Sequence, residues 1–164
     1  MTFDLADFLR TGEFPPAIVK TTRRLDVWNT LGEPTDMGGT SRKYPIPKLF
    51  KYGDLEIGLE HGQNGVVIHT SVNPLSHDYG RPLNFGGAID LDDRGIFNGI
   101  PWREITRILS DLNLDFSTEE FVGDTYLRVS GCVEIIFETP ENFRNLPPDF
   151  GKDELLMVKM TSRL

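Results

Sequence analysis

The sequence predicts an α+β fold of two tandem units, each a helix followed by an antiparallel β-meander, with the helices packed on one face of a curved sheet. Three observations carry this prediction: an apolar helical stripe that occurs twice, strands that alternate apolar and polar residues, and a glycine turn before one strand of each unit. Matching residues lie 78 positions apart, as Gly53 and Gly131 do. The 164 residues suffice for one compact core.

The first repeated helix follows a short N-terminal helix, from Leu5 to Leu9, that Gly12 would end. Thr21 or Thr22 would cap the repeated helix, and the segment Gly32-Glu33-Pro34 would stop it. Spacing close to the helical period places four apolar residues on one face: Ile18, Leu25, Trp28 and Leu31.

The second repeated helix has Pro101 at its first position, where the missing N–H would have no helical partner. Shifting the chain by 78 residues places Val27 on Ile105 and Leu31 on Leu109. The apolar stripe therefore recurs, and its members are Ile105, Ile108, Leu109 and Leu112.

Two strands match without a gap, residues 55–60 on residues 133–138, and both of their glutamates are retained. Each strand follows a turn whose glycine tolerates a positive φ. Alternation predicts that one side of each strand faces the helices and the other faces outward. The inward residues are Leu55, Ile57, Leu59, Val133, Ile135 and Phe137, and the outward residues are Glu56, Glu60, Glu134, Ile136 and Glu138.

A further strand closes each unit, from Val66 to Val72 and from Leu155 to Thr161, the second after a proline-rich insertion at 139–151. Glycine and proline are frequent between the two units, which is typical of a connection. The predicted organisation is a first unit with the N-terminal helix at 1–73, an irregular linker at 74–99 with a short strand from Ala88 to Leu91, and a second unit at 100–164.

Composition excludes several classes of protein. The content of 38% hydrophobic and 26% charged residues is typical of a globular chain with a packed core. The net charge of −8 opposes binding to nucleic acid and suits a basic protein partner. Asp4 and Asp7 stand where a signal peptide would be basic or apolar, no apolar run reaches the length of a membrane helix, and Cys132 has no disulfide partner. These features predict a cytoplasmic protein without a membrane segment.

The chain lacks the common motifs of catalysis and phosphate binding. His61, His69 and His77 recur at intervals of eight residues, but two of them lie in loop composition, so ordinary surface histidines are favoured over a metal site.

Cys132 has no histidine close in sequence that would lower its pKa, which favours an unreactive residue in a hairpin. Asp90, Asp92 and Asp93 lack the complete calcium-loop pattern and are typical of a solvated turn. The sequence therefore predicts no enzyme, no cofactor and no metal.

The segments 22–34, which contains LGEP, and 50–57 resemble the helix, stop and meander of BamE-like modules. Two such units in tandem resemble the β-lactamase inhibitory protein family, and the LGEP and KYGDLEIGLE segments are similar to those of small bacterial proteins that look like toxin immunity proteins. The resemblance covers residues 22–72 and reaches residues 101–161 through the repeat. It implies that helices cover one sheet face and that the other is a binding platform.

The retained glutamates favour a binding strip over a catalytic pair, because equivalent placement gives their pKa values no reason to separate. Carboxylates that repel one another suit a basic partner, and tyrosine and arginine are common interface anchors. The predicted partner-binding residues are Glu56, Glu60, Asp90, Asp92, Asp93, Tyr126, Arg128, Glu134 and Glu138.

The leading hypothesis is a cytoplasmic immunity or inhibitor protein, monomeric or homodimeric, that blocks a basic bacterial toxin, for example a nuclease, with its acidic sheet face and loops. One alternative is a small-ligand-binding protein or enzyme with a pocket between the units, using His69 or the pair Glu56 and Glu134. Another is a scaffold subunit that pairs through strand edges.

Overall fold

The computed structural model describes residues 2–13, 18–74, 76–86, 89–121 and 124–163, and it confirms the α+β class. The described residues form the helices α1 (Leu5–Thr11), α2 (Arg24–Leu31) and α3 (Trp102–Asp111) and a 3₁₀ turn (Pro140–Asn142). The strands are β1 (Thr2–Asp4), β2 (Asp36–Gly38), β3 (Leu49–Tyr52), β4 (Leu55–Leu59), β5 (Val67–Val72), β6 (Asp90–Asp92), β7 (Phe116–Phe121), β8 (Asp124–Val129), β9 (Val133–Glu138) and β10 (Leu156–Ser162).

Eight of the described strands form one antiparallel sheet, in the order β2-β3-β4-β5-β10-β9-β8-β7. Strands β5 and β10 pair at the centre of the sheet. Ser71 lies opposite Thr161 there, and Val72 lies opposite Met160. Strands β2 and β7 are consequently the two edges. The remaining pair, β1 and β6, forms a separate parallel two-stranded sheet.

Several predicted elements lie where the sequence places them. Helix α1 ends at Gly12, whose φ is 70°, and α3 buries Ile105, Ile108 and Leu109. The strands β4, β5, β9 and β10 agree with their predicted ranges to within about one residue at each end. The predicted strand 88–91 is represented by β6 at Asp90–Asp92, and Ala88 lies outside the described residues.

The apolar stripe predicted for α2 is wrong in two of its members. Leu25 is 66% exposed, and Ile18 precedes the helix. The chain forms a turn at Lys20 and Thr21 before Arg23, where Thr21 N–H donates to the Val67 carbonyl and the Thr22 carbonyl accepts from Val67 N–H. The helix therefore starts later than predicted, with Arg23 at the cap position, and it buries Val27 together with Leu31 of the predicted stripe.

Buried apolar residues of the described chain form one cluster that spans both halves of the sheet. Trp28 of α2 packs on Phe50 of β3 with ring centroids 5.7 Å apart, and Trp102 of α3 packs on Phe137 of β9 at 4.7 Å. We call this side of the sheet the core face and the opposite side the outer face. All six residues predicted to face inward are buried on the core face: Leu55, Ile57, Leu59, Val133, Ile135 and Phe137.

The connection between β5 and α3 packs tightly against the rest of the chain. Leu83, Phe85 and Ile96 are buried, and the Phe85 ring lies 5.0 Å from that of Phe3. At its middle, Arg81 Nη2 donates to Asp54 Oδ1 at 2.8 Å, and Asp54 is itself buried in the turn between β3 and β4. No helix among the described residues is long and apolar enough to cross a membrane.

Candidate functional site

A row of polar residues crosses the outer face of the sheet from one edge to the other. Each member lies opposite the next on the neighbouring strand, and Ser71 and Thr161 occupy the centre. Glu56 and Glu134 flank that centre, one strand away on either side, and a cation, Lys51 or Arg128, comes next in each direction. The complete row is Asp36, Lys51, Glu56, Ser71, Thr161, Glu134, Arg128 and Ser117.

Glu56 is covered, contrary to the expectation that it is exposed for a partner. Its side chain is 8% exposed, and its Oε1 lies 2.5 Å from Lys51 Nζ. Burial by itself raises the pKa of Glu56, but hydrogen bonds from Lys51 and Asn73 and the nearby Lys159 charge outweigh it, so the pKa is lowered. Glu56 is therefore an ionised, internally paired carboxylate.

His69 covers the outer face beside Glu56. It lies opposite Gly58, and a Cβ on that glycine would lie 2.0 Å from the imidazole Cε1. Burial lowers the pKa of His69, with Lys159 adding to the effect and Glu56 opposing it. The outer face of the first half of the sheet is consequently closed by its own side chains.

Glu134 belongs to an open groove of about 690 Å³ on the other half of the sheet. Its Oε2 lies 3.2 Å from Arg163 Nη1, and both side chains are partly exposed. Tyr126 and Arg128, which the sequence predicts beside the glutamates, do lie in this groove. The lining residues are Glu119, Glu120, Tyr126, Arg128, Glu134 and Arg163.

Ion pairs orient the side chains of the groove. Arg128 Nη2 donates to Glu119 Oε2 at 2.5 Å, and Arg163 Nη1 lies 4.0 Å from the same oxygen. Glu120 is exposed and takes part in none of the ion pairs found among the described residues. Alternation along β7 places Glu119 on the outer face and directs the Glu120 side chain to the other side of the strand, so Glu120 lies at the rim of the groove. Glu119 and Glu134 face Arg128 and Arg163 inside the groove, and the exposed Glu120 makes its rim acidic.

Sequence reasoning missed Glu119, Glu120 and Arg163. The repeat contains no signal for Glu119 and Glu120, because a shift of 78 residues places most of β7 on the loop that follows β2. Arg163 comes directly after β10 and reaches Glu134 only because β10 pairs with β9. The alternation of polar residues in β7 could have indicated a strand, but nothing local indicates its neighbour in the sheet.

The other predicted site residues lie elsewhere. Glu60 is exposed beyond β4, and Glu138 accepts a hydrogen bond from Asn142 Nδ2 at 2.8 Å, with His77 Nε2 3.6 Å away. The three aspartates Asp90, Asp92 and Asp93 are not on the large sheet: the first and second belong to β6, and the third accepts from Gly95 N–H at 2.8 Å.

The chemistry that these groups can perform is limited by their separation. Three strand spacings lie between Glu56 and Glu134, which is about 14 Å along the sheet. The paired carboxylates of glycoside hydrolases, for comparison, lie about 5 to 10 Å apart.

Cys132 is buried, and its Sγ donates to the Arg10 carbonyl. Burial raises the pKa of its thiol, which disfavours the nucleophilic thiolate.

Within the described ranges, no three or more His, Cys, Asp or Glu side chains are grouped so as to hold a metal ion. The histidines lie in separate surroundings: the His61 ring is tilted against that of Tyr44 with centroids 4.4 Å apart, and the His77 ring lies edge-on to that of Phe143 at 5.3 Å. A comparison with family models, with curated proteins and with solved structures finds no match to this chain.

Proposed function

We propose that this protein is a non-enzymatic binding protein, an immunity or inhibitor protein of the bacterial cytoplasm that blocks a basic toxin with the groove on its outer face. The observation that carries the proposal is the groove itself, where Glu119 and Glu134 lie with Tyr126 on the solvent side of the sheet and Glu120 lies at the rim. A groove with an acidic rim, on a chain of net charge −8, attracts a basic protein surface and speeds its encounter.

The positions of the groove's carboxylates indicate how basic side chains of a toxin would bind. A lysine or arginine of the toxin meets Glu120 first, since this carboxylate is exposed at the edge strand. A second cation can then share Glu119 with Arg128, whose 2.5 Å contact already orients the carboxylate. Tyr126 supplies a rigid amphipathic side chain at the centre of the contact. A basic nuclease is one class of toxin with the required charge, because carboxylates can take the place of substrate phosphates.

The proposal includes an origin of the chain by duplication, followed by divergence that left the binding site in one half. Each of α2 and α3 precedes four strands in the same order, which supports an origin by duplication. In the first unit the retained glutamate, Glu56, became an internal partner of Lys51. In the second unit Glu134 kept its access to solvent, so partner binding is assigned to the second unit. Residues of both units, among them His69 and Ser162, line a cavity of only about 30 Å³. The groove of about 690 Å³ is built from the second half, and it favours the binding of a protein over the small-ligand alternative.

The test is co-expression with the product of the neighbouring gene. Expression of that gene alone is expected to arrest growth, and this protein is expected to restore it. Glu120→Lys should weaken binding by roughly tenfold or more, since it reverses the exposed charge at the rim of the groove. Binding by the unmodified protein should also weaken with added salt.

The matched control is Glu33→Lys, which makes the same change of net charge at an exposed residue next to α2, in the other half of the chain. Equal loss of binding in the two variants would mean that total charge, and not the groove, attracts the partner. A neighbouring gene product that is harmless when expressed alone would contradict the immunity function.

A further inference from the structure

The two edges of the large sheet differ in how they are protected. Strand β2 is only three residues long, and brevity is one of the ways in which proteins protect an edge. Strand β7, Phe116–Phe121, is six residues long and contains neither proline nor lysine. Among the described residues no segment pairs with its outer side. A long edge of this kind is a template for another extended strand.

The ladder between β7 and β8 identifies the backbone groups that face outward. Ser130 N–H donates to the Asp115 carbonyl at 2.7 Å, so these two residues, directly before β7 and after β8, form a hydrogen-bonded pair. Such pairs alternate with non-bonded pairs along an antiparallel ladder. Ser117 and Glu119 are therefore bonded to β8, whereas Phe116, Thr118 and Glu120 direct their N–H and C=O groups away from the sheet.

A second copy of this chain is a poor occupant of the edge. Self-pairing would bring Glu119 and Glu120 of two edges together, on molecules that each carry a net charge of −8. Inward or edge charges of one sign are a known protection against such pairing. The same charges favour a strand whose own side chains are basic.

We propose that β7 accepts an extended, basic segment of the partner as a ninth, antiparallel strand. The inference rests on the proposed function and specifies how the partner is held. Side chains of the added strand that lie beside Ser117 and Glu119 project toward the groove, where arginine or lysine meets Glu119 about 5 Å away. Those beside Phe116, which is 39% exposed, lie on the other face and are apolar. The recognised segment therefore alternates basic and apolar residues.

The experiment uses a capped heptapeptide of alternating arginine and valine as the probe, titrated into the full chain and followed by amide NMR and hydrogen exchange. The amides of Phe116, Thr118 and Glu120 are expected to exchange rapidly in the free protein and to gain protection with the peptide. The amides of Ser117 and Glu119 should be protected in both states. A peptide with glutamate in place of arginine should not bind.

The decisive variant is Thr118→Pro, which removes an N–H that points away from the sheet. Because this N–H makes no hydrogen bond to β8, the variant is expected to fold. It should weaken peptide binding by roughly tenfold. Thr118→Ala retains the N–H and should bind like the unmodified protein. If Thr118→Pro fails to fold, hydrogen exchange in the unmodified protein still tests the proposal, through the protection that the peptide gives to the outward amides of β7.

Three results would overturn the proposal: no peptide binding at millimolar concentration, equal binding by Thr118→Pro, or a dimer in sedimentation that Thr118→Pro dissociates. The last would identify a second copy as the occupant. None of these measurements involves a toxin, so failure to restore growth while the peptide still binds would count against the proposed function alone.

Discussion

Glu56 and Glu134 show that equivalent residues of two matching strands can have different roles. Both flank the centre of the same row, yet one is buried against Lys51 and the other is partly exposed beside Arg163. A buried carboxylate that loses its charge leaves its partner's charge uncompensated, whereas an exposed ion pair is screened by solvent. The difference is measurable as stability.

Glu56→Gln is expected to lower the free energy of unfolding by about 1–3 kcal/mol at neutral pH, because it leaves Lys51 without a buried counter-charge. The folded-state pKa of Glu56 lies below its ordinary value of 4.5. The stability that ionised Glu56 contributes is therefore complete at pH values above its ordinary pKa, and it is lost as the pH falls through the folded-state pKa. Urea unfolding of the variant and the unmodified protein should converge in acid.

Glu134→Gln is the control for this prediction, since its partner Arg163 is partly exposed. The expected cost is below about 1 kcal/mol. A loss as large as that of Glu56→Gln would mean that burial does not distinguish the two carboxylates.

At the scale of elements, the turns before β4 and β9 contain the matching glycines Gly53 and Gly131, with φ of 60° and 73°. A Cβ at Gly131 meets nothing within 4 Å, but one at Gly53 would lie 2.1 Å from the Asn84 carbonyl oxygen. Asp54 N–H donates to that same oxygen, so the connection has packed against one turn and not the other.

Gly131→Ala is expected to cost about 1 kcal/mol, the strain of a positive φ alone. Gly53→Ala adds a backbone clash and is expected to cost about 2–4 kcal/mol. Thermal unfolding of the two variants side by side gives the comparison. An equal loss of stability in the two variants would show that the backbone at Asn84 can shift to make room for the added Cβ.

At the scale of the whole molecule, one sheet and one apolar cluster join the two halves of the chain, with β5 paired to β10 at the centre. Halves that share a core are expected to unfold together. The chain contains two tryptophans, Trp28 in α2 and Trp102 in α3. Each can report on its own half.

Trp28→Phe and Trp102→Phe each leave one fluorescent reporter. We expect urea unfolding of the two variants, followed by fluorescence, to coincide with the transition in circular dichroism for the same variant. Two separate midpoints within one variant would show that the units unfold independently and that the pairing of β5 with β10 is not cooperative.

Local patterns in the sequence predicted much of the fold. Periodicity located α3, and alternation located β4 and β9 and assigned the side that faces the core, because each depends on residues within one element. The start of α2 was predicted incorrectly, since the backbone hydrogen bonds of Thr21 and Thr22 to Val67 depend on a distant strand. Local propensity yields to such tertiary contacts.

The sequence by itself determined the fold class, the apolar side of the central strands and the acidic character of the chain. Only the tertiary structure decided which retained glutamate is buried and which lines a groove. Glu134 meets Arg163 from the end of β10, and Arg128 meets Glu119 from β7, so the groove depends on strand neighbours that no local pattern encodes. The physical reason is that a strand's two faces follow from its own alternation, whereas its neighbours follow from the packing of the whole sheet.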